Sequence, residues 1–324
     1  MIKFILITSI MAQSYDIVIN GGRVMDPETG FDGIRNVGIR GDRIVEITSK
    51  SISGKVAVNA KGLVVSPGFI DLHAHGQTND AHQYQARDGV TTALEMEGGV
   101  GFFREWVDSK EGKTIVNYGG TVPHGFLRAM AMDANQKIAQ KLQNQVQKNG
   151  LSLDGLAGFE KSFAAANYQS QSQKEEDRTQ RMMQDYLNAG ALGIGVPVGY
   201  YPGSTAGEIF HVYQFAAEKD VPIYTHTRGF GMPGLQEAMA DAATSGASVH
   251  LVHANSMSLG EIETTLSMVS DAQKNGLDIT TEVYPYTAAS TSLESVLFDE
   301  GWKETLSITS VSYTHLTLPT IYSV

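Results

Sequence analysis

The feature that most constrains the fold is a regular alternation of short apolar segments with longer helical ones, which begins after about residue 60. This alternation is typical of βαβ units, in which the strands lie parallel within one sheet. Strands are predicted at 63–72, 90–96, 114–118, 191–198, 221–225, 248–252 and 277–283. Helices are predicted between them at 126–147, 174–188, 206–219, 234–244 and 259–274. The sequence therefore predicts an α/β fold.

The strand count favours a TIM-like (β/α) barrel that is incomplete, because a closed barrel of this type has eight strands and seven are found here. The barrel is expected to span 62–308. Ahead of it, residues 14–61 alternate short strands with turns, which predicts a small N-terminal β-sandwich module. The stretch 150–173 is rich in Gly, Ser and Asn and is expected to form a long loop over the barrel mouth.

Both ends of the chain depart from this pattern. Residues 1–13 combine Lys3, a short apolar run and Ala12, the layout of an export signal. The protein is therefore expected to be periplasmic or extracellular, with a cytoplasmic location as the alternative, and the run is too short to span a bilayer. Residues 309–324 resemble a translated sequencing-adapter tail and are expected to be non-native, so the eighth strand is expected to be missing.

Composition excludes several kinds of site. The chain of 324 residues has no cysteine, so disulfides, thiol nucleophiles and Cys-ligated zinc are excluded. Any metal must be bound by His, Asp or Glu. The formal charge of −11 and the lack of a basic run argue against a nucleic-acid partner.

The sharpest chemical signal is the run PGFIDLHAH at 67–75. Alternate side chains of a strand face the same way, so His73 and His75 are expected to point together into the barrel mouth. Two imidazoles at this spacing can bind one metal ion, and barrel active sites lie at the carboxyl ends of strands. A lone H-x-H is weak, but with the preceding PGFID it predicts a metal site.

Three further residues are placed to join this site. His226 and His253 each close an apolar strand and are expected to face the same point, although a core histidine is the ordinary interpretation of either alone. Glu95 and Glu97 end the second strand, where a buried carboxylate would need a cation nearby. Glu97 is preferred as the ligand because it lies closer to the strand end; the alternative is that it pairs with an Arg.

The runs PGFIDLHAH, DGVTT, GALGIG, THTR, LVHANS and YPYTA, in this order between about residues 15 and 292, resemble the amidohydrolase superfamily. Within it the chain resembles the N-acyl-D-amino-acid deacylase group, which comprises D-aminoacylase and N-acyl-D-glutamate deacylase. The resemblance implies that His226 and His253 bind metal with His73 and His75. D-aminoacylases carry a metal-binding Cys near Glu97, so Glu97 is inferred to replace it.

The activity implied by the resemblance is hydrolysis of the amide C–N bond of an N-acyl-(D-)amino acid by water that one or two divalent ions, expected to be Zn2+, activate. The family's general base is an Asp at the end of the eighth strand. No candidate for it is found, because Asp299 and Glu300 come too early. The chain as it stands is therefore expected to be poorly soluble and inactive. If it were active, the base would be sought among Glu95, Glu97 and Glu282.

Four residues are candidates for contacting the substrate. Arg228 could clamp a carboxylate through two hydrogen bonds, or it could form a structural salt bridge. Tyr284 and Tyr286 lie in a segment that resembles a substrate-contacting one, with aromatic packing as the alternative. His124 is placed in the loop after the third strand. Relatives with D-aminoacylase activity have a Lys just after the equivalent of His253, where this chain has Ala-Asn-Ser, so the exact substrate stays open.

The remaining interpretations concern other histidines and other classes of function. His82, His211 and His250 match no ligand motif and are expected in a loop, on a helix surface and in strand packing, respectively. Two alternatives to the deacylase remain: a cyclic-amidase or phosphotriesterase-like barrel hydrolase, and an inactive metal-binding fragment. A small-molecule amide is the expected partner, and the oligomeric state is not predicted.

Overall fold

The computed structural model describes residues 15–151, 163–286, 288–292 and 295–305, and the chain divides into two compact units, Met1–Phe69 and Ile70–Val324. The predicted export signal at 1–13 and the predicted tail at 309–324 lie outside the described residues. No helix in the described part of the chain is long and apolar enough to cross a membrane.

The first unit contains one mixed sheet. Its strands are β1 (Tyr15–Asp26), β2 (Phe31–Arg40), β3 (Arg43–Thr48), β4 (Gly54–Asn59) and β5 (Val64–Val65). The order is β3-β2-β1-β4, and β5 also pairs with β1. The prediction of a β-sandwich is wrong over the described residues, because β4 and β5 pair in parallel with successive parts of the long strand β1 and so extend one sheet.

A bulge divides β1 between these two partners. The register with β2 shifts between Ile19 and Gly22, and Gly21 occupies the bulge with a φ of 71°. Positive φ favours glycine, and the freed amide of Gly21 donates to Asn36 Oδ1 at 2.8 Å.

The second unit confirms the predicted α/β class. One sheet has the order β6-β7-β8 and the other the order β13-β12-β11-β10-β9. The strands are β6 (Phe69–Asp71), β7 (Val90–Glu95), β8 (Asn117–Gly120), β9 (Val122–Pro123), β10 (Ile194–Pro197), β11 (Ile223–His226), β12 (Val249–Leu251) and β13 (Ile279–Thr281). Each neighbouring pair from β9 to β13 is parallel, as is β7 with β8. The described strands form two open sheets, so their topology does not establish a closed barrel.

The predicted third strand, 114–118, overlaps β8, and the chain then continues almost at once into β9, which belongs to the other sheet. Only Thr121 separates β8 from β9. Its amide donates to Glu95 O at 3.0 Å and its hydroxyl to Met96 O at 2.8 Å. The next amide, of Val122, donates instead to Gly193 O at 2.9 Å. The chain therefore changes partner from β7 to β10 at this residue.

The helices are α1 (Asn79–Arg87), α2 (Phe103–Lys110), α3 (His124–Ala131), α4 (Gln136–Asn149), α5 (Gln173–Asn188), α6 (Ala206–Lys219), α7 (Met232–Ser245), α8 (Ala254–Met257), α9 (Ile262–Lys274) and α10 (Trp302–Thr305). Short 3-10 turns cover Asp133–Asn135, Ala164–Tyr168, Val198–Tyr200, Leu259–Glu261 and Val296–Phe298. Residues 152–162 of the predicted loop 150–173 lie outside the described residues, and α5 begins at the end of that loop with a capping box between Ser172 and Glu175.

The prediction of one continuous helix over 126–147 is wrong. Met132 has an extended backbone (φ −64°, ψ 136°), which ends α3. The side chain of Asn135 donates to Ala129 O at 2.8 Å and that of Gln136 to Met130 O at 2.7 Å. These bonds satisfy backbone carbonyls that have no partner at the end of α3, and so they stabilise the break. Asn and Gln also occur inside helices, so their presence in the sequence does not indicate a break.

The main core lies between the five-stranded sheet and the helices that cover it. Ile194, Ile223 and Ile279 from the strands are at most 1% exposed, as are Tyr213 of α6 and Leu235 of α7. Burial of each such side chain contributes roughly 1.5–3 kcal/mol. This packing fixes the strands whose carboxyl ends carry the site.

Candidate metal centre

The five predicted metal ligands all lie at or just after the carboxyl ends of strands. His73 and His75 follow β6, Glu97 follows β7, His226 ends β11 and His253 follows β12. The amide of Ala74 donates to Leu94 O at 2.9 Å, so the segment after β6 continues beside β7 and both histidines keep the same orientation. We call these five residues the cradle.

A glycine allows the cradle's central residue to approach its neighbour strand. Gly195 of β10 packs against the backbone that carries Glu97, and a Cβ there would lie 2.6 Å from Thr121 Oγ1 and 2.9 Å from Met96 O. No side chain fits at these distances, so the glycine is needed for this close contact.

The carboxylate of Glu97 lies at the centre of the four imidazoles. Its Oε2 is 3.0 Å from His73 Nε2 and 3.1 Å from His75 Nε2. Its Oε1 is 2.8 Å from His226 Nδ1 and 3.1 Å from His253 Nε2. Glu97 is 4% exposed. The structure thus brings together all five residues, two histidines on each oxygen.

The protonation states in the first half of the cradle explain why a cation fits. The second nitrogen of His75, Nδ1, is 2.8 Å from Glu95 Oε2, and that of His73 is 2.5 Å from Glu282 Oε1. Ionised carboxylates only accept, so both Nδ1 atoms donate, and each neutral ring then has an unprotonated Nε2. These two nitrogens are 2.9 Å apart and both face Glu97 Oε2. Three acceptor atoms therefore converge, and only positive charge between them satisfies all three.

The spacing of these atoms also suits a metal. A tetrahedral zinc site with bonds of about 2.0–2.1 Å separates its ligand atoms by roughly 3.3 Å. The three pairwise distances here are 2.9, 3.0 and 3.1 Å. His73, Glu97 and His253 form a further group whose ligand atoms lie within 4.8 Å of one another. Nitrogen and oxygen donors of this kind are those that zinc accepts.

The pKa values show the same demand for positive charge. Hydrogen bonds to Glu95 and Glu97 raise the pKa of His75 to about 10. Burial lowers the pKa of His73, but its bonds to Glu282 and Glu97 outweigh burial and raise that pKa to about 9. Burial raises the pKa of Glu97, yet its four imidazole bonds hold that pKa well below the usual range. Protons and a metal ion would therefore compete for the same nitrogens.

His226 and His253, the other half of the cradle, have fewer hydrogen-bond partners than His73 and His75. His226 Nε2 and His253 Nδ1 are buried, and neither has a hydrogen-bond partner among the described residues. Burial lowers the pKa of His226 more than its bond to Glu97 raises it. His253 adopts a φ of 34°, an uncommon value for a residue other than glycine. The four histidines thus form two pairs in different surroundings.

The choice between Glu95 and Glu97 follows from these contacts. Glu97 faces all four imidazoles, whereas Glu95 accepts from His75 Nδ1 and from the Gly98 amide at 3.0 Å. Glu95 therefore contacts His75 on the ring nitrogen that faces away from Glu97, whereas Glu97 has the contacts expected of the predicted ligand.

The predicted substrate residues make other contacts. Arg228 Nε donates to both carboxylate oxygens of Glu237 at 2.9 Å, and its Nη1 donates to Ser204 O at 2.7 Å. These contacts match the alternative of a structural salt bridge. Tyr284 and Tyr286 stack with ring centroids 6.4 Å apart, and Tyr286 is 69% exposed.

His124 does not lie in a loop as predicted. It is the first residue of α3, is 1% exposed, and its Nδ1 lies 2.9 Å from the hydroxyl of Tyr201. The loop prediction for His82 is also wrong, because that residue is fully buried in α1 and contacts Thr114 Oγ1 at 2.6 Å. His211 does lie on a helix, α6, where it pairs with Glu176.

Sequence reasoning missed the roles of Glu282 and His250. The sequence offers Glu282 only as a candidate base and His250 only as a packing residue, yet the two side chains lie 3.3 Å apart and Glu282 contacts His73 on the side away from Glu97. The available signal was position: Glu282 follows β13 just as Glu97 follows β7, an acid at the carboxyl end of a parallel strand.

The chain is similar in sequence to known deacylases and dihydroorotases. The chain is 27% identical over 296 residues to an N-acyl-D-glutamate deacylase of Alcaligenes xylosoxydans xylosoxydans, covering 87% of this chain and 59% of the relative. It is 25% identical over 325 residues to a D-aminoacylase of the same organism, covering 87% and 60%. It is also 25% identical over 310 residues to a dihydroorotase of Streptococcus thermophilus (strain CNRZ 1066), covering 88% and 64%. No protein-family model matches the chain.

Solved structures support the fold. An N-acyl-D-glutamate deacylase from Bordetella bronchiseptica, complexed with zinc and a phosphonate inhibitor, superposes with a TM-score of 0.65 at 21% identity, covering 85% of this chain and 59% of that one. A D-aminoacylase structure gives 0.64 at 22% identity, with the same coverages. The fold is thus similar to that of these two deacylases. Together with the sequence matches, it shows homology to the N-acyl-D-glutamate deacylase and D-aminoacylase group over about 87% of the chain, which spans about three-fifths of the length of these relatives.

Proposed function

We propose that the protein is a metal-dependent amidohydrolase that cleaves the amide C–N bond of an N-acyl-(D-)amino acid. The observation that carries the proposal is the cradle, in which one buried carboxylate faces four imidazoles at or just after the carboxyl ends of strands. Homology to N-acyl-D-glutamate deacylase and D-aminoacylase supports the reaction and the substrate class. We further propose that β6 to β13 are strands of a TIM-type barrel and that residues 1–13 direct export.

The cradle would hold one or two zinc ions. His73, His75 and Glu97 Oε2 would form one position, and His226, His253 and Glu97 Oε1 the other, with Glu97 shared. When bound, zinc supplies Lewis acidity, which polarises a carbonyl and lowers the pKa of water. The chain's own contribution is to orient the rings of His75 and His73 through Glu95 and Glu282, so that the Nε2 atom of each neutral ring would face the ion.

The described residues supply no free carboxylate to serve as general base. Glu95, Glu97 and Glu282 lie at the cradle, but each has a carboxylate oxygen within 3.0 Å of a ring nitrogen of one of its histidines. We therefore assign none of them to proton transfer. Recognition of the substrate carboxylate is also not assigned to Arg228, whose Nε and Nη1 already bind Glu237 and Ser204. The exposed pair Tyr284 and Tyr286 remains a candidate for substrate contact.

A cyclic amide is the second candidate substrate, and similarity to the dihydroorotase over 88% of the chain favours it. The test is a panel of N-acetyl-D-glutamate, N-acetyl-D-methionine, their L enantiomers, dihydroorotate and a phosphotriester, assayed with zinc-loaded protein and with protein stripped by a chelator. The proposal expects zinc-dependent release of a D-amino acid. Turnover of dihydroorotate alone would favour the cyclic amidase, and a protein that binds no zinc would refute both.

A further inference from the structure

Glu282 contacts the far side of a metal-ligand candidate. Its Oε1 is 2.5 Å from His73 Nδ1, whereas Glu97 contacts the other ring nitrogen, Nε2. The Glu282 carboxylate and the His73 ring are each about one-fifth exposed, so water competes little for this bond. A hydrogen on Nδ1 leaves the Nε2 lone pair on the side of the cradle.

The second oxygen of Glu282 is also occupied. Oε2 lies 3.3 Å from His250 Nε2, and His250 Nδ1 lies 2.8 Å from Thr280 Oγ1. His250 and Thr280 are partners in the register of β12 with β13. If the Thr280 hydroxyl donates to Nδ1, the neutral His250 ring carries its hydrogen on Nε2 and donates it to Glu282. A chain of three side chains thus leads from the sheet to His73.

The backbone holds Glu282 in the same place. Its carbonyl accepts from the Ala254 amide at 2.8 Å, and its Oε1 also lies 3.3 Å from the amide of His253. His253 is the residue with the left-handed backbone, a conformation that its surroundings must maintain. Glu282 therefore contacts two residues of the cradle, one through its ring and one through its amide.

We propose that Glu282 is a positioning residue: it fixes His73 as the Nδ1–H tautomer with Nε2 presented to a cation, and His250 and Thr280 hold Glu282 in register. The inference rests on the proposed function, since it requires that the cradle bind a metal. A carboxylate behind a metal-binding imidazole also makes that imidazole a stronger ligand. Glu95 has the corresponding position behind His75, whereas His226 and His253 have no such partner among the described residues.

The test is the zinc affinity of the full 324-residue chain, measured by competition with a chromophoric chelator. Glu282→Gln keeps the shape of the side chain but removes its charge and turns an amide NH2 or a weaker acceptor toward His250. Affinity is expected to fall about 10- to 100-fold. The matched control is Glu176→Gln, which alters another His–Glu pair, 2.7 Å from His211 Nδ1 and on helices α5 and α6, and should leave zinc affinity unchanged.

A second measurement needs no variant at position 282. In zinc-loaded wild-type protein labelled with 15N-histidine, the His73 ring should show a protonated Nδ1, with its signal assigned by its loss in His73→Gln. An Nε2–H ring, or zinc on Nδ1, would overturn the inference even if Glu282→Gln failed to fold. Equal affinity of Glu282→Gln and Glu176→Gln would also overturn it while leaving the metal site intact. Failure of the wild type to bind zinc would overturn the proposed function as well.

Discussion

Two buried polar clusters in the second unit differ in how their charges are satisfied. One is the cradle. The other, which we call the arginine cluster, comprises Arg128, Glu208, His124 and Tyr201. Arg128 is 1% exposed, forms an ion pair with Glu208, and donates to Ala166 O at 2.7 Å and to Gln169 O. Every donor group of that guanidinium has an acceptor from the chain, and His124 beside it is kept neutral.

In the cradle the chain brings acceptors together instead. His73 Nε2, His75 Nε2 and Glu97 Oε2 meet with no protein donor between them when the rings are neutral. Glu97 is buried, and an unpaired acceptor in a buried site is costly, so a proton or a metal ion between these atoms stabilises the arrangement. The comparison separates a cluster whose charges are paired within the chain from one whose acceptors are satisfied by a proton or a bound cation, and each cluster can be tested by substitution.

The largest expected effect is the loss of metal from the cradle. The double variant His73→Ala, His75→Ala removes two of the three atoms at one position and leaves Glu97 with only His226 and His253. Because only Glu97 Oε2 would remain as a metal ligand at that position, elemental analysis after zinc loading should show at least one ion fewer per chain than wild type.

The control for this variant is His124→Ala in the arginine cluster, which should bind zinc with wild-type stoichiometry. Equal zinc content in wild type and the double variant would mean that the cradle is not the metal site. Loss of zinc in His124→Ala with the fold intact would mean that the two clusters are not independent.

The second effect concerns stability. Arg128→Met removes one partner of a buried ion pair and leaves the Glu208 carboxylate, 3% exposed, without its cation. Removing one partner of such a pair typically lowers the free energy of unfolding by about 3–5 kcal/mol. The change in the free energy of unfolding is measured by denaturant unfolding of zinc-free wild type and variant. A change below about 1 kcal/mol, the size found for exposed pairs, would contradict the view that the charges of this cluster are paired within the chain.

The third prediction uses the pH dependence of stability. Burial, with Arg128 nearby, lowers the pKa of His124 to about 3, whereas the unfolded side chain titrates near 6.5. Between these values the unfolded chain binds a proton that the native chain does not, so the free energy of unfolding falls as pH falls below 6.5. The slope from one such group is at most about 1.4 kcal/mol per pH unit.

The measurement is the urea midpoint of zinc-free protein between pH 7 and 4.5, in wild type and in His124→Gln. In His124→Gln the free energy of unfolding should depend less steeply on pH, because the contribution of one titrating group is removed. Part of the dependence should persist in it, since burial also lowers the pKa of His82, to about 4. Identical slopes in the two proteins would show that His124 is protonated in the native state.

The sequence predicted the cradle better than its surroundings, for a physical reason. His73 and His75 share a strand face by local geometry, and the parallel order of the strands brings Glu97, His226 and His253 to the same edge. The role of Glu282 depends instead on where β13 lies relative to the segment after β6. Glu282 and His73 are 209 positions apart in the chain, so no local sequence pattern indicates that they are in contact.

The same reasoning explains the errors in the fold. The helix break at Met132 depends on Asn135 and Gln136 binding carbonyls of α3, and both residue types also occur inside helices. The N-terminal strands form a single sheet because β4 and β5 both pair with β1. The alternation of apolar and polar residues does not indicate which strand pairs with which. Local periodicity therefore predicted element types well and tertiary partners poorly.

The smallest expected effect separates substrate recognition from structure at Arg228. Its side chain is 27% exposed, and its ion pair with Glu237 is only partly buried, so Arg228→Gln should lower the free energy of unfolding by about 1–3 kcal/mol, the range of hydrogen bonds to charged groups. Zinc stoichiometry should not change. Binding of N-acetyl-D-glutamate and of its neutral diamide to zinc-loaded protein, measured by calorimetry, should weaken by the same factor or not at all. A selective loss for the anionic ligand would instead restore Arg228 as a carboxylate clamp, since only a residue that contacts that charge distinguishes the two ligands.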